Sequence, residues 1–338
     1  MISTNVHGTT SSPAGRVLGR AWLTLTASFL LAIPPVQAQD YPNRPVRLVV
    51  PYSAGGVTDA TARAIAGEMG KELGQQVIVE NRAGAGGMVG TASVAKSSPD
   101  GYTICFCASG VFVIQPHLDA KLPLSPVAEL QPVTHVYDAN LVLAVREDSK
   151  IASFEELIAL AKSNPAGVSY GSVGIGSAHQ LGMEALRQRT GGTLVHIPYK
   201  GDAQQITDLL GGRLDVAVLS TQAASSLAKG GKVRLLASTG LQRAPGLADV
   251  PTIAESGYPG FAINTWIGTF VPTGTPKAVV DQLQQVTSAV LKLPAIREQM
   301  AAQGLRPNGA DGAELAEFIA SESSRAEKVI RELDIKVE

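Results

Sequence analysis

Val46-Arg47-Leu48-Val49-Val50-Pro51-Tyr52-Ser53-Ala54-Gly55-Gly56-Val57-Thr58-Asp59 decides how the rest of the chain is read. Its first five residues form an apolar run of strand length, as expected of a strand covered on both faces. A glycine-rich turn follows, and residues 58–73 carry a helical pattern. Strand, tight turn and helix in that order open an α/β unit.

The alternation continues downstream. Residues 77–79 and 103–107 read as strands, with a helix over 88–95 between them. The pattern pauses in the proline-rich 122–132 and restarts at the apolar run 141–145. Ser153 with Glu156 forms a capping box that opens a helix through Ala161. Strands are expected at 168–172, 194–198, 216–219 and 233–238, each after a helical pattern, so 141–261 makes a second α/β unit. Residues 239–261, with Pro245, Pro251 and Pro259, read as irregular. After the apolar run 266–271, Thr275-Pro276 starts a helix with proline at its first position. Val279, Val280, Leu283, Val286 and Val290 form its apolar stripe. The final helix carries Leu315, Phe318, Ile319, Ala326, Val329, Ile330 and Leu333 on one face.

With one weak strand between them, these C-terminal helices are expected to pack back on the first unit. The chain then crosses between lobes near Asn140 and near Ile263. The expected fold class is α/β: two lobes of parallel or mixed sheet joined by two crossover strands. Lobe 1 comprises 39–140 plus 262–338, and lobe 2 comprises 141–261.

Of the 338 residues, 45% are apolar and only 17% charged, which excludes a disordered chain or a charged coiled coil. Arg16 and Arg20 precede the apolar run 21–33, too short to span a bilayer comfortably, and small residues follow at Val36-Gln37-Ala38. Residues 1–38 therefore read as a cleaved signal peptide, and the absence of a cysteine after the run gives no support to a lipid anchor. The remaining 300 residues hold 26 basic against 29 acidic side chains, a net of −3. No clustered basic excess points to nucleic acid. The compartment expected is a periplasm, which weighs against ATP- or NAD-dependent chemistry.

Ligand contacts are expected beyond the carboxyl ends of strands, where open α/β sheets bind small molecules. In the first loop, glycines let the backbone come close and the helix start offers N–H groups to an anion. That nominates Tyr52, Ser53, Ala54, Gly55 and Gly56. Asp59 joins them by position, although an acid favourable to the helix dipole, with Thr58 as cap, needs no ligand.

Gly171-Ser172-Val173-Gly174-Ile175-Gly176-Ser177-Ala178-His179 repeats the feature and nominates Gly174, Gly176, Ser177 and His179. His179 stands where a dinucleotide fingerprint needs a third glycine, and no lysine supplies a phosphate P-loop. The hydroxyl- and glycine-rich helix start that remains suits a carboxylate. His179 either touches ligand or fills the first helical turn. Gly84-Ala85-Gly86-Gly87 either faces the cleft or merely redirects the chain. Lys200 is the candidate cation, with a solvated loop lysine as the alternative. Ser109 and Ser220-Thr221-Gln222 lie just past strand ends and offer hydroxyl and amide donors.

No Gly-x-Ser-x-Gly elbow is present, and His117, His135, His179 and His196 lack metal-ligand spacing. No catalytic residue, metal or cofactor is therefore expected. Two cysteines exclude a disulfide scaffold. Cys105 and Cys107 would point to one face of a strand with Cα atoms about 6.6 Å apart, near the upper limit for a disulfide. Buried free thiols are expected, with periplasmic oxidation as the alternative.

The segments PYSAGGVTDATAR (51–63), VENRAGAGG (79–87), SPDGYT (98–103) and SVGIGSAHQLGMEAL (172–186) stand in order along the chain. HIPYKG (196–201), DLLGGRLD (208–215), DVPTIAESGYPGF (249–261) and VPTGTPKAVV (271–280) complete the series. Together they resemble the extracytoplasmic substrate-binding proteins of tripartite tricarboxylate transporters, the Bug family, over essentially the whole mature chain. The resemblance implies a two-lobed periplasmic binding protein, a Venus flytrap closing on a small organic carboxylate. It also implies contacts by main-chain N–H groups, hydroxyls and water at 53–56 and Ser109 in one lobe, and at 174–177 and 220–222 in the other. Tyr52-Ser53 stands where the family commonly has Phe followed by Pro or a small residue, and Leu219-Ser220 where polar pairs such as Asp-Asn are frequent. The partners implied are two integral-membrane carrier subunits, or a sensor kinase reading the liganded monomer. A secreted hydrolase or isomerase using His179 is the competing class, and it lacks an orienting triad.

Overall fold

Strand β1 (Val46–Val50) is buried at every position but Arg47, as a strand covered on both faces must be. The computed structural model describes residues 8–9, 41–118, 122, 124–199 and 201–332, and every element below lies in the compact unit Pro42–Glu338. β1 pairs in parallel with β2 (Val77–Asn81) and β3 (Thr103–Ala108). Helices α1 (Val57–Leu73) and α2 (Met88–Ala95) make the crossovers. Short helices α3 (Ser109–Val113), α4 (Gln115–Leu118) and α5 (Pro126–Glu129) lead into the long strand β4 (Leu130–Arg146).

The middle of the chain alternates again: α6 (Phe154–Ser163), β5 (Val168–Ser172), α7 (Ala178–Thr190), β6 (Leu194–Pro198) and α8 (Asp202–Leu210). Next come β7 (Val216–Ser220), α9 (Thr221–Lys229) and β8 (Val233–Ser238). The C-terminal part adds β9 (Asn264–Pro272), α10 (Lys277–Lys292), α11 (Pro294–Ala302), β10 (Leu305–Pro307) and α12 (Gly312–Glu332).

The strands order as β2-β1-β3-β9-β4-β7-β5-β6, with β8 and β10 also pairing β4. β4 is the shared element. From Leu130 to Asn140 it runs antiparallel to β9, and from Leu141 it pairs with β7 and β8 instead. Asn140 lies opposite Asn264, the first residue of β9, so the two strands meet where β4 changes partners. Thr239 secures this point: its N–H donates to the Leu141 carbonyl (2.9 Å), and its hydroxyl accepts from Leu141 N–H (3.0 Å).

Apolar cores flank the sheet. Phe112 stacks on Phe270 with ring centroids 4.0 Å apart, while Trp266 and Phe318 enclose His135. Leu315, Ile319, Ala326 and Ile330 of α12 are buried against this core, with Phe318 and Val329 packed at its edge. Another core gathers Val142, Ala144, Leu209, Leu214, Ala217, Leu219, Ala224 and Val233.

Several expectations change. β4 begins at Leu130 rather than Leu141, because Gln131, Thr134, His135 and Asp138 interrupt the apolar run although Val133, Val136 and Tyr137 are buried. The apolar run 266–271 belongs to β9, which sits between β3 and β4 and is antiparallel to both, so the sheet is mixed, and the one weak strand between the C-terminal helices is β10. Pro276 stands at the N-cap with extended ψ, and α10 starts at Lys277. Gly56, not Thr58, caps α1. Cys105 and Cys107 form a disulfide rather than free thiols: their Cα atoms stand 5.5 Å apart, closer than a fully extended strand would hold them. The signal-peptide reading of 1–38 rests on residues of which only Gly8 and Thr9 are described, and Lys200 and Leu333 also lie outside the described residues.

Candidate functional site

Strand register brings two sets of carboxyl ends toward the crossing. Ser220, the last residue of β7, pairs with Leu141. Ala108, the last of β3, pairs with Ile267, close along β9 to Asn264. The loops nominated from sequence follow these ends and their parallel neighbours β1 and β5, the position where α/β sheets bind ligands.

The first loop, Ser53 to Gly56, is exposed. Gly55 takes φ +86°, a conformation that disfavours other residues, and Gly56 caps α1 without a side-chain bond. Asp59 is 4% exposed and supports the loop from behind. Its carboxylate accepts from Gly55 N–H (2.9 Å), Arg63 Nε (3.1 Å) and Asn81 Nδ2 (3.0 Å), and Asn81 also donates to the Tyr52 carbonyl (3.1 Å). Burial alone would raise the Asp59 pKa, but these bonds and the Arg63 charge outweigh it and hold the carboxyl below its ordinary value. Gly55 N–H is thus engaged by the protein. The N–H groups of Ser53, Ala54 and Gly56 make no hydrogen bond among the described residues.

Under the loop, burial pushes the Tyr52 hydroxyl up to about 12, offset in part by a hydrogen bond with the Ala108 backbone. The Tyr137 hydroxyl bonds to Thr58 and is raised further still by burial. Both phenols are therefore neutral at physiological pH. Ser109 is buried at the start of α3. Its neighbour Gly110 lies against the second loop, where an added Cβ would stand 3.6 Å from the Gly176 carbonyl oxygen.

The second loop is internally braced. Ser172 Oγ accepts from Gly174 N–H (3.0 Å) and lies 2.6 Å from His196 Nε2. Ser177 caps α7, donating its hydroxyl to the Gly174 carbonyl (2.6 Å) and accepting from Gln180 N–H (3.3 Å). Gln180 Oε1 returns the bond by accepting from Gly176 N–H (2.8 Å). Gly174 and Gly176 both take positive φ, +123° and +74°. Val173 and Ile175 N–H groups have no hydrogen-bond partner among the described residues.

Ser220 caps α9 and donates to Asp202 Oδ2 (2.8 Å). The Asp202 charge reaches His179, where burial lowers the imidazole pKa and Asp202 opposes that shift, so His179 is neutral at pH 7. Thr221 is directed elsewhere, donating to the Asn140 carbonyl (2.9 Å) and locking the crossing. Gln222 is exposed. The structure thus brings Ser109 beside the Gly176 loop and His179 near Ser220 by way of Asp202. No hydrogen bond among the described residues joins the loop Ser53–Gly56 to the loop Gly174–Ser177.

A cavity of about 690 Å³ opens beside the second loop, walled by the turn at Ala85 and Gly86, by α2, by α4 and by Ile175-Gly176. Sequence reading left the glycine turn at 84–87 open between two roles; the turn does line this cavity, and Tyr52 Oη stands 3.0 Å from where a Cβ on Gly87 would be. The supporting residues Asn81, Tyr137, Ser172 and Asp202 were not nominated. Nothing in their local pattern marks them: Asn81, Tyr137 and Asp202 act by reaching a loop distant in sequence, and Ser172 braces its own loop against His196. Among the described residues no group of three or more His, Cys, Asp or Glu side chains is placed to hold a metal ion, and no helix is long and apolar enough to cross a membrane.

Residues 61–335 match the family profile described as "Tripartite tricarboxylate transporter family receptor". Protein BugT of Bordetella pertussis is 36% identical over 304 residues, covering 90% of this chain and 93% of BugT. The structure of the periplasmic binding protein BugD superposes with a TM-score of 0.79 at 36% identity, covering 88% of this chain and 100% of that one. The structure of R. palustris Rpa4515 with adipate superposes at 0.82 and 31% identity, covering 88% and 99%.

Proposed function

The chain belongs to the tripartite tricarboxylate transporter receptor family and has the two-lobed α/β fold of periplasmic binding proteins, and on that premise we propose that it captures a small organic carboxylate between its lobes and delivers it to a membrane carrier. The observation that carries this reading is the pair of glycine loops ending at the starts of α1 and α7, each with backbone N–H groups that have no partner among the described residues. Helix starts of this kind favour an anion. The adipate held by Rpa4515 is a carboxylate of the class such loops would take.

A hydrogen bond to a charged group contributes about 1.5–3 kcal/mol net. Four of them, less the cost of ordering the lobes, reach the roughly 8 kcal/mol of a micromolar site. The lobes are 39–140 plus 262–338 and 141–261, hinged where Asn140 meets Asn264, and ligand shifts the population toward the closed form. Residues 1–38 direct export to the periplasm. The reading is of a receptor and not an enzyme: in the second loop Ser172, whose hydroxyl lies against the His196 ring, is fully buried and engaged with its own loop.

Thermal-shift screening followed by calorimetry against mono-, di- and tricarboxylates tests the proposal. At least one acid should raise Tm and bind at micromolar Kd. Absence of stabilisation by any carboxylate would remove the reading. Gly55→Val and Gly176→Val should abolish the shift, because both positions have positive φ and a Cβ at Gly176 would stand 2.8 Å from Leu118 Cδ1. Unchanged binding by folded variants, checked by circular dichroism, would refute the site assignment.

A further inference from the structure

The cavity beside the second loop is walled mainly by Met88, Val89, Ala92, Leu118, Leu122 and Ile175. Val89 is 52% exposed and Ile175 44% exposed, so two of the lining residues present large apolar side chains that a ligand could cover. The polar side chains on its walls other than Lys96 are already engaged. Ser93 Oγ donates to the Gly90 carbonyl (2.6 Å), and Gln115 Nε2 donates to the Gly86 carbonyl (3.1 Å). Lys96 is the only charged lining residue and makes no ion pair among the described residues. The cavity includes Gly176 of the second loop and Gly86, next to the glycine that packs on Tyr52 of the first.

We propose that the ligand is a carboxylate with an apolar body, an aryl or medium-chain alkyl acid, whose tail fills this cavity while its carboxylate meets the glycine loops. The inference rests on the receptor reading above and adds the substrate class. A hydroxylated or tricarboxylic body would surrender water to walls that offer few unpaired donors, whereas an apolar body would cover Val89 and Ile175. The cationic Lys96 at the wall matches an anion and opposes an amine. A cavity of about 690 Å³ is large for a four-carbon acid and fits a ring with a short chain.

Titration calorimetry with a homologous series from butanoate to octanoate and with 3-phenylpropanoate, set against malate and citrate, tests it. Affinity should rise roughly fourfold for each added methylene until the cavity is full, the ratio expected for burying one such group. Ala92→Phe, which fills the cavity, should shorten the longest chain that still gains affinity, and Ile175→Asp should weaken octanoate at least tenfold. If malate or citrate binds while affinity is flat along the series, the apolar-body assignment is overturned and the receptor reading stands. If no carboxylate binds, both fall. A chain-length gradient that Ala92→Phe leaves untouched would place the tail outside this cavity and overturn the assignment as well.

Discussion

Asp59 lies next to the first loop in sequence and beneath it in space, with Gly55, Arg63 and Asn81 all donating to its carboxylate. Its position among the candidate ligand contacts was readable; its engagement by three protein donors was not, because Asn81 comes from the end of β2. Removing the carboxylate should leave Asn81 and Gly55 N–H without their acceptor. Asp59→Ala is therefore expected to lower unfolding free energy by about 1–3 kcal/mol and to weaken carboxylate binding through a slackened loop. Urea denaturation and calorimetry of the same variant check this. A variant with both values unchanged would show that the loop holds its shape without Asp59. Thr221 teaches the same lesson, since its hydroxyl lies past a strand end as a ligand donor should, yet it is donated to the Asn140 carbonyl.

At the scale of elements, β4 carries the architecture, with its first part in one half of the sheet and its last residues in the other. Its N-terminal part escaped sequence reading because polar residues break both the apolar run and the period-two pattern there. Long-range pairing with β9 stabilises that stretch, overriding weak local signals. The crossing is tightly packed. Asn140 is 4% exposed and donates through its side chain to the Gln242 carbonyl (2.8 Å), and a Cβ on Gly240 would collide with its carboxamide. Gly240→Ala should displace that amide and cost about 1–3 kcal/mol by overpacking. Chemical denaturation reads the loss, and an unshifted midpoint would mean the crossing has slack.

At the scale of the molecule, two kinds of buried titratable group set how stability depends on pH. Burial lowers the pKa of His179 and His196 from 6.5, with Asp202 and Glu184 respectively opposing the shift. Their unfolded forms bind more protons than their folded forms as pH falls. Stability is thus fully present above the ordinary value of 6.5 and declines as pH drops from there toward the lower folded-state values. For Asp59 and Asp138, burial acts to raise the pKa, but hydrogen bonds and neighbouring cations prevail and hold both below 3.8. Their contribution persists above that value and is lost only as pH falls beneath it. Melting temperature should therefore fall in two stages as pH decreases, and His196→Gln should flatten the first. A constant Tm between about pH 7.5 and about pH 5 would contradict the buried-histidine origin.

The local alternation of apolar runs, glycine turns and helical stripes determined that this is an α/β protein, and it located nearly every strand, the helix starts and the glycine loops, because those features depend on neighbours within a few residues. Family membership was legible for the same reason, as ordered motifs that survive in the linear sequence. Only the tertiary structure decided that β4 starts at Leu130, that β9 runs between β3 and β4, that Asp59 and Thr221 serve the scaffold, and that an apolar cavity adjoins the second loop. Each of these depends on groups far apart in sequence meeting in space, and a hydrogen bond or a packed wall of that kind leaves no periodic trace along the chain.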